Sequence, residues 1–313
     1  MGQAGEGGGT QPSGAQFEIG AGDQRASIVE VGGGVRAYEV GGRAVLDPYP
    51  VGAMCDGAHG APLIPWPNRL ADGAYRFGGT DHHVALTEPD KHNAIHGFLR
   101  WRSWSAREEA EDRVVMGTTL YPLMGYPFTL DVAVSYTLGD GGLTVATTAT
   151  NLGPEPCPYG AGQHPYLSPG SGPVDDCTLE LGAATRILTD DDRQLPTGTV
   201  AVEGTPYDFR GGRRIGDLKV DFAFTDLARD RDGRAWARLT GPDGATAELW
   251  VDQSYPIIEI YTGDTLAPPR RRLGLGTEPM TLPPNGFQTG EGLVTLAPGE
   301  SLTTRWGVGL VRR

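Results

Sequence analysis

The chain has 313 residues, 38% of them hydrophobic, with 48 Gly, 25 Pro and a net charge of −13. This length suits one large β-sandwich or barrel, and the abundant turn formers favour many short strands over a helical bundle. The acidic balance argues against a nucleic-acid or anionic-membrane partner, since both select basic patches.

Residues 1–15 are rich in Gly, Ser and Gln and read as a disordered tail, and 16–313 read as a single β-sandwich domain. The first strands are Phe17-Glu-Ile, Arg25 to Val31 and Gly34 to Val40, a meander broken by glycine pairs. No G-x-G-x-x-G falls between a strand and a helix, so these glycines do not make a dinucleotide loop. A turn of helix is expected near Leu86–Asp90, and the Trp101–Trp104 aromatics are expected to pack. From Phe128 to Leu138 apolar and polar residues alternate, which means an antiparallel strand with one buried face. Gly139-Asp-Gly-Gly142 turns the chain, and Leu143 to Thr150 returns as the hairpin partner. Further strands are read at Arg234–Thr240, Ala245–Val251, Ile257–Tyr261 and Leu302–Val311. No apolar run nears the ~18–20 residues of a membrane span. No charged-then-apolar leader pattern is visible, and three cysteines at no metal-ligand spacing fit a reducing cytoplasm.

Five stretches place polar residues where a strand-rich chain puts loops. Leu63-Ile-Pro-Trp-Pro-Asn-Arg-Leu70 holds Asn68 and Arg69 in a segment stiffened by two prolines, and Trp66 there is either a sugar platform or core. Asn93-Ala-Ile-His-Gly-Phe98 sets His96 before Gly97. Tyr159-Gly-Ala-Gly-Gln-His-Pro-Tyr-Leu-Ser168 carries His164, with Tyr166 able to line a pocket. His164 is either a general acid near neutral pH or a packed loop histidine. Lys219 to Asp226 carries Asp221, a hydroxyl acceptor or a strand-start turn residue. Leu275 to Phe287 carries Glu278, a general base or a surface carboxylate, just after the alternating strand Ile258-Glu-Ile-Tyr. The His82-His83 pair lacks a third spaced ligand, and Asp190-Asp-Asp192 lacks the spacing of a calcium loop, so no metal site is read.

Taken together, these stretches resemble the aldose 1-epimerases, the galactose mutarotase family, in order from about Phe17 to Val311. N-R after a proline-rich segment, N-x-x-H-G, an H-x-Y loop, an aspartate before an aromatic strand, Y-T-G and G-x-E-P fall in sequence. The resemblance implies an all-β fold, the large antiparallel galactose mutarotase-like supersandwich. It implies Glu278 as the base at the C1 hydroxyl and His164 as the acid at the ring oxygen. Arg69, His96 and Asp221 are implied as the hydroxyl- and ring-oxygen-binding set, with Asn68, Asn93 and Tyr166 as further contacts. The implied substrate is a free aldohexose such as galactose or glucose, with neither cofactor nor metal, in a cytoplasmic monomer or homodimer. Two departures stand out: Gln163 takes the place of an asparagine that many members carry, and the match at Asp221-Phe-Ala-Phe is short.

Three other readings remain. An epimerase for an anionic sugar would need extra cations, for which Arg100, Arg102 and Arg270-Arg-Arg272 are candidates. A carbohydrate-binding sandwich without turnover would have no need of a matched acid and base. A glycoside hydrolase would want a second carboxylate across the scissile bond, and the sequence nominates only Glu278.

Overall fold

Strict alternation sets the architecture. Along Leu130–Gly139 the residues Leu130, Val132, Val134, Tyr136 and Leu138 are buried while their neighbours are not. Gly142–Asn151 pairs with this strand antiparallel, Tyr136 opposite Val145 and Leu138 opposite Leu143. The turn ends at Gly142 with φ +98°, where an added Cβ would lie 2.2 Å from the Val308 carbonyl oxygen. Only glycine fits there.

The computed structural model describes residues 11–170 and 172–311. Its strands form a twelve-stranded and a nine-stranded sheet with three two-stranded ribbons, and the strand pairs are antiparallel. One continuous core joins the inner faces, with Ile28, Tyr38, Val45 and Leu167 from the larger sheet. Val134, Tyr136, Leu249 and Trp306 meet them from the smaller. The fold is therefore the large antiparallel β-sandwich expected. Of the expected tail, residues 1–10 lie outside the described residues. Residues 11–15 are ordered: the Ser13 carbonyl accepts from Val31 N–H, the Ala15 carbonyl accepts from Glu30 N–H, and Ser13 is buried.

Most expected strands appear with ends moved by a residue or two, as at Ala235–Thr240, Thr246–Val251 and Ser301–Val311. The helical turn expected near Leu86–Asp90 is a 3-10 turn at Pro89–Lys91, and a one-turn helix at Gly286–Thr289 was not anticipated. Trp104 packs into the core as expected, whereas Trp101 is 46% exposed. The three cysteines are unpaired, with Cys157 and Cys177 buried.

Three neighbouring strands of the larger sheet carry the chemistry. Asp221–Leu227, Ile257–Tyr261 and Leu275–Met280 lie side by side in that order. In Ile257–Tyr261 the side chains of Ile258 and Ile260 enter the sandwich core, so Glu259 and Tyr261 face the other way. That outer face forms the floor of a cavity.

Candidate active site

The rim of the cavity is fixed by two loops that lock into each other. Asn68 and His96 both adopt left-handed backbone conformations, φ +54° and +64°. His96 N–H donates to the Asn68 carbonyl (3.0 Å), and Asn68 N–H donates to His96 Nδ1 (3.1 Å). The second bond makes Nδ1 an acceptor, so a neutral His96 carries its proton on Nε2. Gly97 follows with φ +63°, and a Cβ there would sit 2.0 Å from the Ile64 carbonyl oxygen. The glycine after His96 is thus a requirement of close backbone approach. Arg69–Ala71 pairs with Asn93–Ile95 beside this lock, and Glu88 takes the Arg69 guanidinium in a fork through Nε (2.9 Å) and Nη2 (3.1 Å).

His164 comes from the loop between Gly162–Gln163 and Tyr166–Leu167, two short strands that hydrogen-bond to Leu275–Met280. Its own peptide is held on both sides: N–H donates to the Ala61 carbonyl, and its carbonyl accepts from Gly60 N–H. The imidazole stacks on Tyr166 (4.9 Å, 14° between planes), and Tyr166 stacks in turn on His59 (3.6 Å, 3°). The Tyr166 hydroxyl donates to the Gly57 carbonyl at 2.7 Å, which pins the column. His164 Nε2 lies 3.2 Å from Glu278 Oε1.

The floor is acidic. Glu259 and Glu278 stand directly opposite each other across adjacent strands, and Asp221 opens the next strand, opposite Tyr261. Glu259 Oε2 accepts from Asn68 Nδ2 at 2.7 Å, and Asp221 Oδ2 accepts from Gln194 Nε2 at 2.5 Å. His164 Nδ1 and Glu278 Oε2 are buried without a protein partner among the described residues. Unmatched buried polar atoms are rare, and two together at one cavity mark a place for a polar ligand.

Burial dominates the electrostatics. It pushes the Glu278 carboxyl well above the ordinary carboxylate range, with the negative charge of Glu259 and Asp221 adding to the rise and Arg69 opposing it. The same burial, followed by Asp221, pushes Glu259 up to about 8 against the pull of Arg69 and Asn68. His164 is held down to about 3, chiefly by burial and then by His59. His96 is lowered well below the ordinary imidazole value by burial, His164, Arg100 and Arg69. Burial and the neighbouring acids thus favour the proton on Glu278 over His164, across a gap that one proton transfer can bridge. Ligand atoms of His96, His164 and Glu278 also lie within 4.8 Å of one another, close enough to hold one divalent cation.

The cavity encloses about 190 Å³, and among its lining residues are Asn68, Arg69, His96, His164, Tyr166, Asp221 and Glu278. The five loops singled out in the sequence thus converge. Asn93 does not line it: its amide donates to Glu88 Oε2 and to the Arg193 carbonyl, one layer behind Arg69. Trp66 is core, edge-on to Phe98, and Gln163 turns inward to donate to Thr147 Oγ1. Sequence reasoning missed Glu259 and Gln194. A lone acid between Ile258 and Ile260 was the available signal for the first. For the second, the Asp190 turn that presents Gln194 read only as solvated acid; Asp190 accepts from Arg193 and Leu195 N–H to shape it.

A family model described as aldose 1-epimerase matches residues 15–308. The uncharacterized protein YihR of Escherichia coli K12 is 34% identical over 291 residues, covering 92% of this chain and 91% of that one. Human galactose mutarotase is 28% identical over 213 residues, 64% of this chain and 60% of the human protein. Among solved structures, the GalM/aldose epimerase homologue from C. elegans is similar with a TM-score of 0.84 at 19% identity, covering 95% of this chain and 99% of its own. Galactose 1-epimerase from Lactobacillus acidophilus NCFM gives 0.76 at 19% identity over 92% and 91%. The structural likeness is one of fold, and the match of the family model extends along nearly the whole sequence. The chain belongs to the aldose 1-epimerase family.

Proposed function

We propose that the protein is an aldose 1-epimerase that interconverts the α and β anomers of an aldohexose pyranose. The observation that carries this reading is the buried contact of His164 Nε2 with Glu278 Oε1 at 3.2 Å, facing a cavity lined by polar side chains. In the working form the shared proton sits on His164 and Glu278 is a carboxylate. Glu278 removes the proton of the C1 hydroxyl as His164 delivers one to the ring oxygen. The bond between C1 and the ring oxygen breaks, leaving the open-chain aldehyde. Rotation about C1–C2 and attack of the hydroxyl on the other carbonyl face give the other anomer, with both protons returned. The protons balance; because burial favours the proton on Glu278, hydrogen bonds from the bound sugar are what move it to His164. His96 Nε2–H and the Arg69 Nη1–H groups, which the Glu88 fork leaves over, are donors for sugar oxygens, while Asp221 and Glu259 are acceptors for hydroxyls.

Proton NMR of freshly dissolved α-D-glucose and α-D-galactose tests the reading, with wild type beside Glu278→Gln and a protein-free blank. Each positioned proton transfer is worth roughly 10²–10⁴ in rate, so the variant is expected to lose at least that factor. Wild type that matches the blank on every aldose tried, charged ones included, sinks the proposal and leaves a binding module.

A further inference from the structure

Two arginines line the cavity, and only one of them is engaged. Arg69 is held in the Glu88 fork. Arg100 stands at the centre of the 3-10 turn Leu99–Trp101, half-buried against the same cavity as His96 and His164. Among the described residues its guanidinium makes no hydrogen bond and no ion pair. Its contact is the face of Trp101, 5.2 Å from the ring centroid. The groups whose fields reach it are the Cys55 thiol, which burial pushes up to about 12, and then Glu88, already committed to Arg69, Lys91 and Asn93.

Such a cation is costly to keep. A guanidinium drawn out of water without an anionic partner loses hydration that nothing restores. Arg100 also faces the imidazoles, since its charge helps to lower both His96 and His164. The other candidate cations are accounted for differently. Arg270 is bonded to Asp47 and His59, Arg272 to Asp175 and Asp264, Arg102 and Arg271 are exposed, and none of these lines the cavity. The same cavity is lined by Asp221, Glu259 and Glu278, whose oxygens accept hydroxyls. Among the described residues that line the cavity, Arg100 is therefore the one cation without an acid partner.

Resting on the anomer-exchange reading of this site, we infer that the preferred aldose carries one anionic substituent, a carboxylate or a phosphate ester, which Arg100 binds. Both groups match a guanidinium fork in two parallel hydrogen bonds. The anion orients the sugar, turning its hydroxyls toward the acidic floor and C1 toward Glu278 and His164.

Anomer exchange at equilibrium, read by NMR, is to be compared for D-glucose, D-glucuronate and D-glucose 6-phosphate with wild type, Arg100→Gln and Arg100→Lys. Wild type is expected to show a kcat/KM at least about tenfold higher for one charged aldose than for glucose. Arg100→Gln should lower that ratio by about 10- to 100-fold, the size of a hydrogen bond to a charged group, and Arg100→Lys should restore part of it. Because the readout is a ratio within one protein, partial loss of folded enzyme does not move it. The carboxylate and phosphate arms distinguish the two anions. Wild type that turns over glucose as well as both charged aldoses overturns the inference and leaves the epimerase reading intact. So does a ratio unchanged in Arg100→Gln. Exchange of none of the three overturns both.

Discussion

Replacing Glu259 by glutamine tests the acidic floor directly. The amide has nearly the same shape, and its carbonyl can still accept from Asn68 Nδ2, so packing is preserved while the titrating group is gone. In the folded protein burial and Asp221 raise Glu259 from 4.5 to about 8. A raised carboxylate contributes stability that is fully present below its unfolded value, near 4.5, and lost as pH rises through the folded value. Each pH unit inside that window removes about 1.4 kcal/mol. Between pH 5.5 and 7.5 the wild type should therefore lose on the order of 3 kcal/mol relative to Glu259→Gln. For a chain of this length that is a difference of roughly 4 °C in Tm. Thermal unfolding of both proteins across this window measures it, and comparing the two removes the contribution of His164, which runs in the opposite sense. Parallel Tm–pH curves would refute the argument, because they would mean that Glu259 is ionised in the folded protein throughout.

Gly97→Ala should cost about 2–4 kcal/mol in urea unfolding, through a strained left-handed residue and a Cβ driven at the Ile64 carbonyl. It should also abolish anomer exchange by displacing His96. Gln194→Ala removes the donor to Asp221 and is expected to raise KM about tenfold with a smaller change in kcat, read from steady-state exchange rates. An equal fall in kcat with KM unchanged would show that Asp221 acts on the transition state instead.

The sandwich was legible because its strands obey a local rule. Period two in Leu130–Gly139 and the glycine-rich turn after it are decided within a few residues, and the structure pairs the two strands as the expected hairpin. The loops bearing Asn68, Arg69, His96, His164 and Glu278 stood out for a similar reason. Proline and glycine beside a polar residue reveal a constrained backbone without any knowledge of neighbours. Glu259 gave no such sign. Its strand reads as an apolar alternation with one acid, and what makes that acid unusual is Glu278 and Asp221, brought beside it only by sheet pairing. Asn93 failed in the opposite way: its loop is indeed at the site, but whether a buried amide faces the cavity or the layer behind it depends on Arg193, a hundred residues on. Arg100 could be named as a cation from sequence, and its lack of an acid partner could not.

The lining runs from Gly57 to Glu278 and draws its side chains from widely separated stretches of the chain. The contacts that build it are of high sequence separation, and such contacts close late because the loop entropy must be met before they repay it. During refolding, strand content can return through local hairpins such as Leu130–Gly139 with Gly142–Asn151 while the cavity is still unmade. Recovery of turnover should consequently lag recovery of circular dichroism. The last contacts to form would be those between the carboxylates of the floor and the loops that close over them.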